Sequence, residues 1–97
     1  MTKEEEIMEF LHKRVFNPIL NSSKASNTLK RGAQYTIMRL NERDANGMIS
    51  YFWAAMVGTE KSNKFARKLK AEGFKRFEEV FIEFRERFDD KWLRKKS

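Results

Sequence analysis

The chain has 97 residues, nine of them Phe, and an aromatic share of 13%, so it has room for one folded domain but not for a large multidomain enzyme. Lys and Arg number 21 against 14 Asp and Glu, giving a net charge of +7 and a basic isoelectric point near 9.9. The absence of Cys excludes disulfides, thiolate nucleophiles and cysteine-ligated zinc or iron–sulfur sites, and fits a reducing cytoplasm. One Pro and four Gly leave few breaks, which points to helices.

The first helix is expected near Thr2, whose hydroxyl can cap free backbone N–H groups, with Glu4, Glu5 and Glu6 in the first turn where the helix dipole favours carboxylates. Ile7, Phe10, Leu11 and Val15 follow the three-to-four spacing of one apolar face. This acidic start does not read as a secretory signal. Asn17-Pro18 is expected to interrupt or kink the segment, because Pro disfavours the helical region at the residue before it. Asn21-Ser22-Ser23-Lys24 reads as loop.

Ser26 or Asn27 should cap a second helix running to about Arg43. On a helical wheel with Arg31 at zero, Leu29, Ala33, Ile37 and Leu40 fall between about 160° and 240°, a narrow apolar stripe. Asp44-Ala45-Asn46-Gly47 reads as a turn, with Asn46 or Gly47 suited to a left-handed backbone. The third helix, about Met48 to Val57, carries Met48, Ile49, Phe52, Trp53, Met56 and Val57, and a helix so apolar belongs at the centre of a bundle. That apolar run is far below the roughly 20 residues a membrane-spanning helix needs. Thr59 should cap a fourth helix that ends at Gly73. The last helix, about Phe74 to Arg94, shows the strongest pattern: Phe77, Phe81, Phe84, Phe88 and Trp92 recur every three or four residues.

Two basic faces are the candidate binding residues. On the second helix Arg31, Tyr35, Arg39 and Arg43 are spaced by four, with Lys30 beside them, on a face adjacent to the apolar stripe. Guanidinium forks match phosphate oxygens and stack on bases, and a Tyr ring can stack or donate to phosphate. The plain alternative is a solvated helix surface. On the fourth helix Lys61, Lys64 and Lys68 share a face flanked by Arg67, and Ser62 and Asn63 lie in the first turn, where a recognition helix touches base edges. The outline of a helix-turn-helix is present here, but Phe65 and Leu69 are out of step with its inward positions.

His12 is the one histidine, and nothing in the sequence supplies it with a nucleophile or a metal partner. The carboxylates of the last helix alternate with Arg and Lys as on a solvated face, and that helix has no His to complete the Glu-x-x-His of metal-binding bundles. There is no glycine-rich phosphate loop and no Gly-x-Ser-x-Gly. No catalytic residue, metal site or cofactor is therefore predicted, and the chain does not read as an enzyme.

The sequence predicts one all-α domain over 1–97, a small helical bundle of four to five helices around the 48–57 helix, with an acidic N-terminal helix over 2–16, a loop over 17–26 and a helical core over 27–94. The expected function is nucleic-acid binding, DNA ahead of RNA, through phosphate neutralisation by Lys30, Arg31, Arg39, Arg43, Lys61, Lys64, Arg67 and Lys68, with Tyr35 as a stacking or phosphate contact. Ser62 and Asn63 are the candidates for base contact. The alternative is a protein-interaction module, an inhibitor, antitoxin or adaptor, docking on a larger partner through an exposed basic surface or through exposed members of the Phe77–Trp92 and Ile7–Val15 series. The same aromatic excess suggests a homodimer. No membrane partner is expected, since the last helix carries about as many acids as bases before Arg94.

Overall fold

The computed structural model describes residues 1–55 and 77–95. All regular structure among them is helical: α1 (Lys3–Leu11), a π-helical turn (His12–Phe16), α2 (Asn17–Leu20), α3 (Asn27–Asn41), α4 (Ala45–Trp53), α5 (Phe77–Arg87) and α6 (Asp90–Arg94). They form a small all-α bundle in which α4 packs against both α1 and α3, and α5 packs against the π turn.

α1 starts as its sequence requires. The Thr2 hydroxyl accepts from the Glu5 N–H at 3.1 Å, and the Glu5 carboxylate accepts from the Thr2 N–H at 3.1 Å, a reciprocal capping box. The two neighbouring glutamates act elsewhere. Glu4 accepts the Ala45 N–H at 2.8 Å and so caps the start of α4, while Glu6 lies 3.7 Å from the Arg87 guanidinium. The carboxylates expected to serve α1's own dipole thus tie α1 to two other elements.

Pro18 does not end the first helix. The chain stays helical to Leu20, so the loop expected over 17–26 is confined to 21–26. A proline ring collides with the carbonyl four residues back and has no N–H to give it. The π turn widens the backbone at that point, and Asn17 N–H bonds the His12 carbonyl, five residues away. Asn17 itself is helical despite preceding proline.

Ser26 caps α3, its hydroxyl accepting from the Leu29 N–H at 3.0 Å. Leu29, Ala33 and Leu40 are buried as the stripe predicts, Ile37 is half-buried, and Thr36 is buried with its hydroxyl donating to the Gly32 carbonyl at 2.8 Å. The turn expected over Asp44–Gly47 is instead the first turn of α4. Asp44 is its N-cap and accepts from the Gly47 N–H at 2.8 Å. Gly47 meets a close approach here rather than a left-handed backbone: a Cβ would stand 3.1 Å from both the Arg43 Cβ and the Asp44 carboxylate.

The single helix expected to Arg94 is interrupted. Phe88 and Asp89 leave α5, and Asp89 caps α6 by accepting from the Trp92 N–H at 2.8 Å. Val80, Phe84 and Phe88 are buried, and Phe81 and Trp92 pack against the same cluster, so the aromatic stripe is core in its main part. The buried residues of α1, the π turn, α3, α4 and α5 form one contiguous cluster. Arg14 to Glu83 at 2.6 Å, together with Lys3 donating to the Leu93 carbonyl, fastens its N-terminal half to α5 and α6.

Two outcomes are expected. Phe84→Ala should cost about 3–5 kcal/mol in denaturant unfolding, because a fully enclosed ring leaves a cavity, whereas Arg14→Ala, which breaks an exposed pair, should cost no more than about 1 kcal/mol. The Glu5 carboxyl is held below the ordinary glutamate range, chiefly by the Thr2 backbone N–H and then by the Thr2 hydroxyl. Its ionised form is therefore favoured in the folded chain, so its capping is complete at neutral pH and is lost as pH falls through that lowered value. An NMR titration should show the Thr2 and Glu5 amides moving together at acidic pH, and in Glu5→Gln that movement should vanish.

Candidate nucleic-acid interface

Burial of Leu29, Ala33, Thr36 and Leu40 turns the opposite side of α3 to solvent. Arg31, Gln34, Tyr35 and Met38 are exposed there, with Tyr35 at 55% and Met38 at 52%. The helical wheel puts Met38 at about 340° and Tyr35 at about 40°, on either side of Arg31. Arg31 makes no ion pair or hydrogen bond with any described residue. Met38 was not among the sequence candidates. Its signal was its place outside the apolar stripe, which a reading that scores charge alone passes over.

The basic residues expected to act together on α3 differ in their freedom. Lys30 is half-buried at the edge of the exposed face. Arg39 is half-buried and lies 3.4 Å from the Glu42 carboxylate, a pair with both side chains well exposed to water. The Arg39 Nε is shielded and makes no hydrogen bond to a described residue, so only part of its guanidinium is engaged. Arg43 is committed inward. It donates to the Arg39 carbonyl at 2.9 Å, satisfying a free carbonyl at the helix end, and its guanidinium lies 4.4 Å from the centre of the Tyr51 ring. Arg43 thus joins α3 to α4, while Arg31 and Tyr35 face solvent. Lys61, Ser62, Asn63, Lys64, Arg67 and Lys68 lie outside the described residues.

Other cations rest on aromatic rings: Arg85 is 4.9 Å from the centre of the Trp53 ring, and Arg87 is 5.4 Å from that of Phe10. The surfaces on which a protein partner or a second copy was expected to dock are largely enclosed. Ile7, Phe10, Leu11, Val15, Phe84 and Phe88 are buried, and Ile82, off the stripe, is exposed at 60%. His12 is half-buried with its ring edge against Phe16. Among the described residues no three His, Asp or Glu side chains come together as a metal site, and no described helix is long and apolar enough to cross a membrane.

No protein-family model, no curated protein and no solved structure matches the chain.

The division of labour between the two arginines has a measurable consequence. Arg43→Gln removes a ring contact and a helix-end hydrogen bond and should lower unfolding stability by about 1–2 kcal/mol. Arg31→Gln removes an exposed side chain with no ion pair or hydrogen bond to a described residue and should stay within about 0.5 kcal/mol of the parent in the same urea titration.

Proposed function

We propose that the chain is a small nucleic-acid-binding protein that holds its ligand chiefly by neutralising the phosphate backbone, DNA ahead of RNA, and that it is not an enzyme. The observation that carries this reading is the solvent face of α3, where Arg31 and Tyr35 stand exposed in a chain of net charge +7. Glu4, Glu5, Asp44 and Asp89 cap helix starts, and Glu6 and Glu83 pair with Arg87 and Arg14, so none of these six carboxylates pairs with Arg31.

Arg31 is the leading phosphate ligand, since its fork has no partner among the described residues and a guanidinium can meet two phosphate oxygens at once. Arg39 joins it by exchanging Glu42 for a phosphate, which is inexpensive because an exposed ion pair contributes only about 0–1 kcal/mol. Lys30 adds charge at the edge. Lys61, Lys64, Arg67 and Lys68 supply a second set of cations, with Ser62 and Asn63 placed early in their segment for base contact. These phosphate contacts give affinity without sequence information. The aromatic form of the protein-interaction reading keeps less support, because Ile7, Phe10, Leu11, Val15, Phe84 and Phe88 are buried.

Fluorescence anisotropy with labelled duplex DNA, single-stranded DNA and RNA across a salt series tests this. Three phosphate contacts, those of α3 alone, predict a loss of roughly 40-fold in affinity between about 50 and 200 mM salt, and six or more predict a loss on the order of a thousandfold. The steeper slope is expected if the 61–68 cations share the bound ligand. Charge reversal of Arg31 and Arg39 together should weaken binding and flatten the slope. No binding at low salt would end the nucleic-acid reading, and an unchanged affinity in the double variant would end the assignment to α3.

A further inference from the structure

We infer that the exposed face of α3 is a stacking platform for unpaired bases, so that the chain takes single-stranded nucleic acid in preference to duplex. This inference rests on the nucleic-acid reading and names the form of its ligand.

The starting point is that Tyr35 and Met38, both more than half exposed, stand side by side on a helix whose other side is well buried. Three residues apart, they are about 4.5 Å apart along the helix axis, close to the roughly 3.4 Å step of stacked bases. A phosphate offers nothing to a thioether and little to the face of a phenol ring. A duplex keeps its bases stacked on one another and presents phosphates and base edges. An unpaired strand presents the flat faces of its bases, and every base has one. A ring and a polarisable thioether suit that surface.

The charges around the ring fit the same ligand. Arg31 lies one turn before Tyr35 and Arg39 one turn after it, so a base on the ring has a guanidinium on each side for the phosphates of its own strand. Among the described residues no cation lies over the Tyr35 ring, so the face is open to a base. A protein occupant fits less well. A stable protein interface takes about 800 Å² from each partner and some 20–30 residues. Here the apolar content is two side chains, bounded by exposed Arg31, Gln34, Asn41 and Glu42. That is the scale of one or two bases.

The test compares a fluorescently labelled single strand with the duplex of the same sequence across a salt series, their affinities being set against each other at one moderate salt concentration, together with a strand carrying the fluorescent base 2-aminopurine. The parent should bind the strand more tightly and quench the 2-aminopurine. Tyr35→Ala should lose about tenfold in strand affinity with little change for duplex. Tyr35→Phe should keep both the affinity and the quenching. Tyr35→Leu, which keeps apolar bulk and helix propensity without a ring, should lose as Tyr35→Ala does. The salt slope should be the same in all of them, because the ring carries no charge. Equal or tighter duplex binding that is indifferent to Tyr35, with the steep salt slope intact, would overturn the stacking inference and leave the phosphate reading standing. Equal losses for strand and duplex in Tyr35→Ala would place the ring on the backbone and also overturn it. Absence of binding to either polymer at low salt would overturn both and leave the face to a protein partner.

Discussion

Phe52 is fully enclosed where α4 meets the rest of the bundle, and the other elements are placed around it. Its ring lies 4.8 Å from that of Phe84, 5.8 Å from Phe81 and 6.5 Å from Phe16, centre to centre. From Phe84 the contacts run to Phe88 at 5.1 Å and to Phe10 at 6.0 Å, and from Phe88 to Trp92 at 4.7 Å. These rings meet tilted or edge to face, the arrangements that their charge distribution favours. The network joins α4, α5, α6, α1 and the π turn. A chain this small encloses little apolar surface, so a few rings, each burying about 150–250 Å², must supply much of the cohesion. The face of α3 depends on the same network at one remove. α3 packs on α4, and its exposed side is whatever Leu29, Ala33, Thr36 and Leu40 leave outside.

Charge is partitioned over this frame. Carboxylates sit at helix starts, where backbone N–H groups await acceptors, or between helices opposite arginines. The ion pairs are exposed and hold orientation more than stability. Added salt should therefore affect folding little, because the core of the bundle is made of rings rather than charges. Glu4 shows how the two layers meet: a residue of α1 accepts the first N–H of α4 and so fixes the start of the helix on which α3 rests.

Features that depend on a few neighbouring residues were legible in the sequence. Thr2 with Glu5, Ser26 before α3, and the stripe of Leu29, Ala33 and Leu40 each follow from spacing within one or two turns. Asp44-Ala45-Asn46-Gly47 misled because Asp and Gly favour turns and also serve helix starts, and packing chose between the two. Pro18 misled because a π turn absorbs its clash without ending the helix, an adjustment of the backbone that leaves no composition signal. The break at Asp89 was hidden because α6 returns Trp92 to the core, so the aromatic spacing continues across it. The candidate site divided in the same way. Arg31 and Tyr35 could be placed by periodicity, whereas the commitment of Arg43 to Tyr51 depends on the fold-back of α4 over α3.

The two arginine–tyrosine combinations on this surface show why residue type alone does not mark a binding face. Arg43 has its guanidinium on the Tyr51 ring and a hydrogen bond to the end of α3, so both partners are occupied and the contact joins two helices. Tyr35 has arginines one turn away on either side, and neither guanidinium covers its ring among the described contacts. An arginine that covered it would satisfy the ring and withdraw its own charge from the ligand. Arg39 is drawn toward Glu42 instead, and Arg31 is exposed, with no partner among the described residues. Among the described residues the Tyr35 ring is uncovered and the Arg31 guanidinium unpaired, whereas at the α3–α4 junction the same two chemistries are spent on each other.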